Sequence, residues 1–320
     1  TAEFTPLEQV CKWADSLCPL DHDLNTKLFE STIGKLCFED GVYNFETRDF
    51  KSYDDCPEVY TTVHTGKPFP QKKDSELIKQ IHEWVLDPIF DDNEELKELT
   101  LREISRGLAG KVADKRIFLG LGARDSGKGL LQKMIMTAVG RAYVGGTAAG
   151  NFLEKKGVAV SDEAKARSWM VDFRFKRFCF VNDLDERETI DNTKLKSFAS
   201  GGDVFQVRQN DANEFNMQVQ AKLFIFVNMM PTKVTHADVV RDHVVCTTFP
   251  VEFVSEKKYE EQKYKKNLRK ENPHIKDVFA GRSDVGDAFL HILLDAYGPK
   301  MDVPQKRFSR VVALSSNTSK

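Results

Sequence analysis

The sequence predicts an α/β fold: a mainly parallel sheet flanked by helices and built around a P-loop, with a helical N-terminal region and a helical C-terminal tail. Three observations predict it. First, RIFLGLG (116–122), RFCFVND (177–183), KLFIFVN (222–228) and HVVCTTF (243–249) are short apolar runs bounded by charged or turn residues, as in strands covered on both faces. Second, helical stretches at 130–139 and 161–169 separate the first of these runs, which is the alternation of an α/β sheet. Third, GARDSGKG (122–129) stands between the first run and the first of these helices with the pattern G-x-x-x-x-G-K. Strand, glycine loop and helix in that order are the context of a phosphate-binding loop.

The remaining elements follow from periodicity and punctuation. In TPLEQVCKWADSLC, Leu7, Val10, Cys11, Ala14 and Leu17 recur at helical spacing. KLCFEDGVYNFETRDF carries aromatic and β-branched residues around Asp40-Gly41, a hairpin signal. Leu77, Ile78, Ile81, Trp84 and Val85 form one helical stripe behind Asp74 or Ser75 as N-cap, with Pro88 as its expected end. A second helix is expected over 93–106, punctuated by Gly107 and Gly110. From Glu256 the tail reads as helical and charged. EKKYEEQKYKKNLRKENP, closed by Pro273, has the look of a solvated helix face. GDAFLHILLDAYG is an amphipathic helix ending at Gly298, and the terminal SSNTSK is expected to be unstructured. The expected division is therefore 1–107, mostly helical with a hairpin; 108–255, the α/β P-loop domain; and 256–320, helical with a flexible tail.

Composition narrows the function classes. With 320 residues, 41% hydrophobic and 30% charged, the chain can bury a sizeable core. A net charge of −2 excludes a generally basic surface, so any polyanion site must be local. Cys11, Cys18, Cys37, Cys56, Cys179 and Cys246 form no C-x-x-C pair and no zinc spacing; Cys179 and Cys246 sit in apolar runs and read as core. The expectation is a reduced, intracellular, soluble protein without disulfides, structural metal or membrane partner, since no apolar run approaches the ~20 residues of a span. Host cytoplasm and nucleus are not distinguished. Thr1 in place of an initiator methionine suggests a processed fragment.

The glycine loop sets the chemistry. The backbone of Gly122, Ala123, Arg124, Asp125, Ser126, Gly127, Lys128, Gly129 and Leu130 would wrap a nucleotide's phosphates, with the positive end of the following helix behind it. Lys128 would reach the β and γ phosphates as a point charge. The eighth position normally offers Mg²⁺ a hydroxyl, and Gly129 has none; a water or Ser126 could fill the gap. An acid at the end of a second strand must hold the metal. Asp183, after KRFCFVN, fits that place and is the expected metal ligand, although polar strand ends also simply face water. Asn228, ending a third strand, could orient the attacking water or merely form a turn before Pro231. Arg241 suits a γ-phosphate contact made across subunits, or a surface ion pair with Asp238 or Asp242.

The order of these pieces resembles the superfamily 3 helicases, in particular the poxvirus-type primase–helicases of large DNA viruses and related phage and plasmid proteins. RIFLGLGARDSGKG is similar to the family's first ATPase motif, KRFCFVND to its second and KLFIFVNMMP to its third. KLKSFASGGDVFQVR is similar to its most specific segment, here Lys196, Gly201, Gly202, Asp203 and Arg208. DVVRDHVVCTTFPVEF resembles its arginine-containing strand, with one arginine where relatives often have two. The resemblance covers about residues 33–255 and departs at Gly129 and Asn182, both in the magnesium region. It implies an AAA+-like core that binds ATP and Mg²⁺, assembles as a ring, usually a homo-hexamer, and moves along single-stranded DNA. A primase domain or protein is an implied partner.

The segment DVFQVRQNDANEFNMQVQ alternates like a hairpin, with a polar turn at 210–213. In a ring it would face the pore, where Lys196 and Arg208 would pair with DNA phosphates without sequence preference. Two other functions stay open from sequence: a nucleotide-binding scaffold or loader that hydrolyses poorly, pointed to by Gly129 and Asn182, and a monomeric P-loop kinase for a small molecule.

Overall fold

The computed structural model describes residue 10 and residues 24–154, 162–182, 184, 189–208, 214–230, 233–234 and 243–298. The expected helix over 7–17 and the terminal SSNTSK lie outside the described residues.

The hairpin signal at Asp40-Gly41 is realised. Strands β1 (Lys35–Cys37), β2 (Val42–Asn44) and β3 (Asp49–Lys51) form an antiparallel sheet, with Cys37 opposite Val42. Phe38 N–H donates to the Gly41 carbonyl at 2.7 Å and closes the turn. A Cβ on Gly41 would lie 2.1 Å from the Lys51 carbonyl oxygen, so only glycine lets β3 pass.

The main sheet is α/β, as expected. It is built from β4 (Ile117–Gly122), β5 (Val144–Thr147) and β6 (Phe178–Val181). After the short strands β7 (Thr189–Ile190), β8 (Phe205–Val207) and β9 (Phe215–Met217) come β10 (Lys222–Val227), the two-residue β11 (Lys233–Val234) and β12 (Val244–Phe249). The order across the sheet is β12-β4-β10-β6-β5, and every pair is parallel. All five strands therefore end at one edge, where an open α/β sheet places its ligands. A strand, β10, separates the P-loop strand β4 from β6. This parallel sheet with a loop and helix after β4 is consistent with a P-loop α/β core.

Helices cover both faces, so β6 and β10 are buried along their whole length. One face packs on the helices Lys128–Val139, Ser283–Asp295 and Glu94–Leu108 and on the N-terminal hairpin, through Phe118, Phe224, Ile135, Phe289, Ile104 and Phe38. The other packs Leu119, Cys179 and Ile225 against Phe152, Phe173 and Phe198. Core residues on the first face come from all three stretches of the chain named above.

Three local expectations are corrected, and one strand was not anticipated. The helix after its Asp74 cap does not stop at Pro88; it passes through a widened turn at His82–Leu86 into Asp87–Phe90 and ends at Asp91, φ 53°. Proline has no N–H to give a residue four back, and a π-turn removes that demand. The Lys-rich tail is helical only over Glu256–Glu261. It then returns as β14 (Leu268–Lys270), parallel to β13 (Glu252–Val254), because Leu268 is buried and anchors the return. Pro273 opens the short helix Pro273–Asp277 rather than closing one, its usual place at N1. Strand β5 comes from VGGT, which carries no strand signal. Gly145 is needed there, since a Cβ would come within 2.7 Å of Lys176 and 2.9 Å of Phe173.

Candidate nucleotide site

The glycine loop leaves β4 at Gly122 and turns into the helix Lys128–Val139. Two residues make the turn through positive φ: Asp125 at 57° and Gly127 at 92°. Close packing enforces the glycines. A Cβ on Gly122 would lie 2.7 Å from Phe249, and one on Gly127 would lie 2.5 Å from Ile89. Ile89 is fully buried beneath the loop because the preceding helix runs on past Pro88. A hydrogen bond of 3.0 Å from Phe253 N–H to the Asp125 carbonyl ties the loop to β13. The loop is thus held from below and from the side. Arg124 (side chain 90% exposed) and Asp125 project to solvent, 3.6 Å apart.

Lys128 lies at the centre. Its ammonium donates to the carbonyls of Gly122 (2.5 Å) and Ala123 (2.7 Å), to Ser126 Oγ (3.1 Å) and to Asn228 Oδ1 (3.3 Å). Asn228 follows β10 directly, and the register Val227↔Leu121 sets it level with Gly122 on the neighbouring strand. Ser126 is 1% exposed, and its hydroxyl oxygen accepts from Lys128. Gly129 is exposed, and a Cβ there would meet nothing within 4 Å; Leu130 completes the first helical turn. Asn182, at the end of β6, donates to Gln132 Oε1 at 3.3 Å, which joins the second strand end to the helix after the loop. Gln132 was not singled out in the sequence, because only the sheet order brings it to Asn182. Asp183 and Arg241 lie outside the described residues.

The two residues expected to touch nucleic acid lie elsewhere. Lys196 is exposed on the helix Asn192–Phe198. Arg208 follows β8 and pairs with Asp162. The β8–β9 hairpin forms with Phe205 opposite Met217 and Val207 opposite Phe215; its turn lies outside the described residues. Cations sit over the hairpin's rings, Arg167 at 5.9 Å from the Phe205 centroid and Arg174 at 5.4 Å from that of Phe215. The cysteines on the sheet are core residues. Burial pushes the Cys179 thiol up, and that of Cys246 to about 12, so neither supplies a thiolate nucleophile.

A triphosphate fits this donor set. The Lys128 ammonium and the N-terminus of the helix Lys128–Val139 lie together at the strand-end edge of the sheet. Among the described residues no group of three or more His, Cys, Asp or Glu could hold a metal, and Gly129 offers no oxygen from its side chain. The open space there makes a prediction. Gly129→Thr should fold without displacing any neighbour and present a hydroxyl at the start of the helix Lys128–Val139, where a bound nucleotide's metal would lie. At about 1 kcal/mol for one added ligand, the Mg²⁺ concentration for half-maximal ATP binding should fall roughly fivefold. An unchanged Mg²⁺ titration would show that position 129 does not face the metal.

A protein of Sputnik virophage named "Putative helicase V13" is 30% identical over 277 residues, 87% of this chain. The alignment takes in 34% of that protein, so the chain spans about a third of its length. Among solved structures, the apo C-terminal region of NrS-1 superposes with a TM-score of 0.50 at 15% identity, covering 80% of this chain and 55% of that one. This likeness shows a shared fold. No family model matches the chain. Among the described residues, no helix is long and apolar enough to cross a membrane.

Proposed function

We propose that the chain is the ATP-hydrolysing motor of a viral DNA helicase of the superfamily 3, AAA+-like type, working as a homo-hexameric ring on single-stranded DNA. The observation that carries this reading is the meeting of Lys128 with Asn228. Two separate segments, each read as an ATPase motif, supply groups to one point at the strand-end edge. The virophage relative's helicase name supports the same reading.

In this reading the loop amides from Gly122 to Leu130 and the Lys128 ammonium hold the β and γ phosphates. ATP draws Lys128 off the loop carbonyls, which carry only partial charge, toward full phosphate charges. Asn228 orients the attacking water. Arg241 of an adjacent subunit contacts the γ phosphate across the interface. When bound, Mg²⁺ would offset charge on the β and γ phosphates; Asp183 would be its carboxylate ligand, with water completing its shell beside Gly129. Lys196 and Arg208 meet the DNA backbone, Arg208 by exchanging Asp162 for a phosphate. A primase, on the same or another chain, would supply the partner activity.

Gly129 favours one second reading, a nucleotide-binding ring that acts as a scaffold or loader and turns ATP over slowly. Turnover measured with and without single-stranded DNA separates the two. The motor predicts DNA-stimulated hydrolysis together with a particle of ring size. Tight ATP binding with negligible turnover in both conditions would leave the scaffold standing and remove the motor.

A further inference from the structure

At the opposite end of β4 from the glycine loop, roughly 17 Å along a six-residue strand, lies a cleft of about 550 Å³. Its lining includes Lys115, Lys196, His243, Asp203, Ser197 and Ser200. These residues come from three parts of the chain: the lead into β4, the helix Asn192–Phe198 with the segment after it, and the start of β12.

The cleft's cations differ from those around it. Lys194 donates to the Leu153 carbonyl at 2.6 Å and lies 3.5 Å from Asp191. Lys222 and Arg116 are paired with Glu103. Among the described residues, Lys115 and Lys196 have no ion-pair partner. The backbone is also shaped to bring them together. Lys115 itself holds φ 55°, a left-handed conformation that costs a non-glycine residue energy and that concentrates at functional sites. Gly201 and Gly202 adopt φ 84° and 104°. A Cβ on Gly201 would press to 3.2 Å of both Ala113 and the Lys115 side chain. The Gly-Gly pair therefore lets the end of the Lys196 helix close against Lys115, and it acts as the builder of this cleft.

We propose that the cleft is a backbone-phosphate site for single-stranded nucleic acid, with Lys115 and Lys196 as its two cationic contacts and His243, Ser197 and Ser200 as hydrogen-bonding groups. Charge selects the ligand. Two ammoniums against the Asp203 carboxylate leave about one net positive charge, which suits a singly charged phosphodiester and opposes a triphosphate. The space exceeds what one phosphate needs and admits a length of strand. The proposal deepens the motor reading, because it names where a strand would be gripped.

The test is fluorescence anisotropy of a labelled 20-nucleotide oligothymidylate across a salt series, without nucleotide. Wild type is compared with Lys115→Gln, Lys196→Gln, the double variant, and Lys257→Gln as a cation outside the cleft; matched thermal melts confirm the fold. Each cleft substitution should lower the slope of log affinity against log salt by about 0.7, the value for one phosphate contact on a single strand. The double variant should lose about twice that, and Lys257→Gln none. A double variant with the wild-type slope, or a wild type that binds no oligonucleotide, overturns the site. So does displacement of the oligonucleotide by ATP from a Lys128→Ala chain, which would assign the cleft to nucleotide phosphates. Because binding is read without hydrolysis, the motor reading can fail on turnover while this site stands.

Discussion

Lys128→Ala should cut ATP turnover by roughly 10²- to 10³-fold, the cost of removing one preorganised group that stabilises transition-state charge. The expectation rests on where the ammonium sits. It is shared among two loop carbonyls, a buried hydroxyl and Asn228, all within 3.3 Å. It is therefore held at the loop's inner surface before any nucleotide arrives, and little ordering remains to be done on binding. Phosphate oxygens compete for the same donor with far more charge than carbonyl oxygens carry. Lys128→Arg should not rescue, since a planar guanidinium cannot reproduce a compact ammonium surrounded by four acceptors. The fold should persist, because glycine packing on Phe249 and Ile89 and the Phe253–Asp125 bond shape the loop independently of Lys128. The measurement is steady-state phosphate release together with a thermal melt. A wild-type rate in Lys128→Ala would mean that the loop is not the phosphate site.

How much of this could be read in the sequence follows from the range of each interaction. The strands of the main sheet were legible where every residue is apolar, because burial on both faces leaves that imprint locally. The loop was legible from the spacing of its glycines and lysine between a strand and a helix. Strand β5 was not, since Gly145 is there to admit Phe173 and Lys176 and so erases the strand signal. The Lys-rich tail looked helical along its full length, but one buried residue, Leu268, pulls its end into a strand pair. Pro88 was read as a stop because a widened turn leaves no mark in composition. Within the site, Lys128 and Asn228 were named from motifs and stand together. Gln132, Ile89 and Phe253 escaped notice, since each matters through a contact made only after the sheet and helices assemble. Lys115 was missed likewise: its left-handed backbone and its closeness to Gly201 belong to the tertiary fold alone. So was Arg177, buried without a carboxylate partner among the described residues. It donates instead to the Thr32 and Lys35 carbonyls at 2.8 and 3.0 Å and to Gln220.

Glu103→Gln should be among the most destabilising single substitutions in the chain, by about 3–5 kcal/mol, the cost of breaking a buried ion pair from one side. Glu103 is 0% exposed on the helix Glu94–Leu108. One carboxylate oxygen takes Arg116 at 2.5 Å, and the other takes Lys222. Those cations stand at the entrance to β4 and on the first residue of β10, at 8% and 2% exposure. One carboxylate thus fixes the starts of the two adjacent strands whose far ends carry Gly122 and Asn228. The amide variant would still accept one hydrogen bond, but it would remove the carboxylate charge that lies between two buried cations. Asp114 lies 4.0 Å from Lys222 and is already engaged by Arg106 at 3.2 Å. Glu98→Gln on the same helix supplies the contrast. Its partner Arg102 is one turn away and Glu98 is largely exposed, so its loss should cost about 0.3–0.5 kcal/mol. Urea unfolding of both variants measures the difference. Near-equal midpoints would show that water reaches the Glu103 cluster and that burial does not set its energy. If the network also holds the register of β4 against β10, a Glu103→Gln chain kept folded at low temperature should show weakened ATP binding. Lys128 and Asn228 would then no longer meet at the other end of those strands.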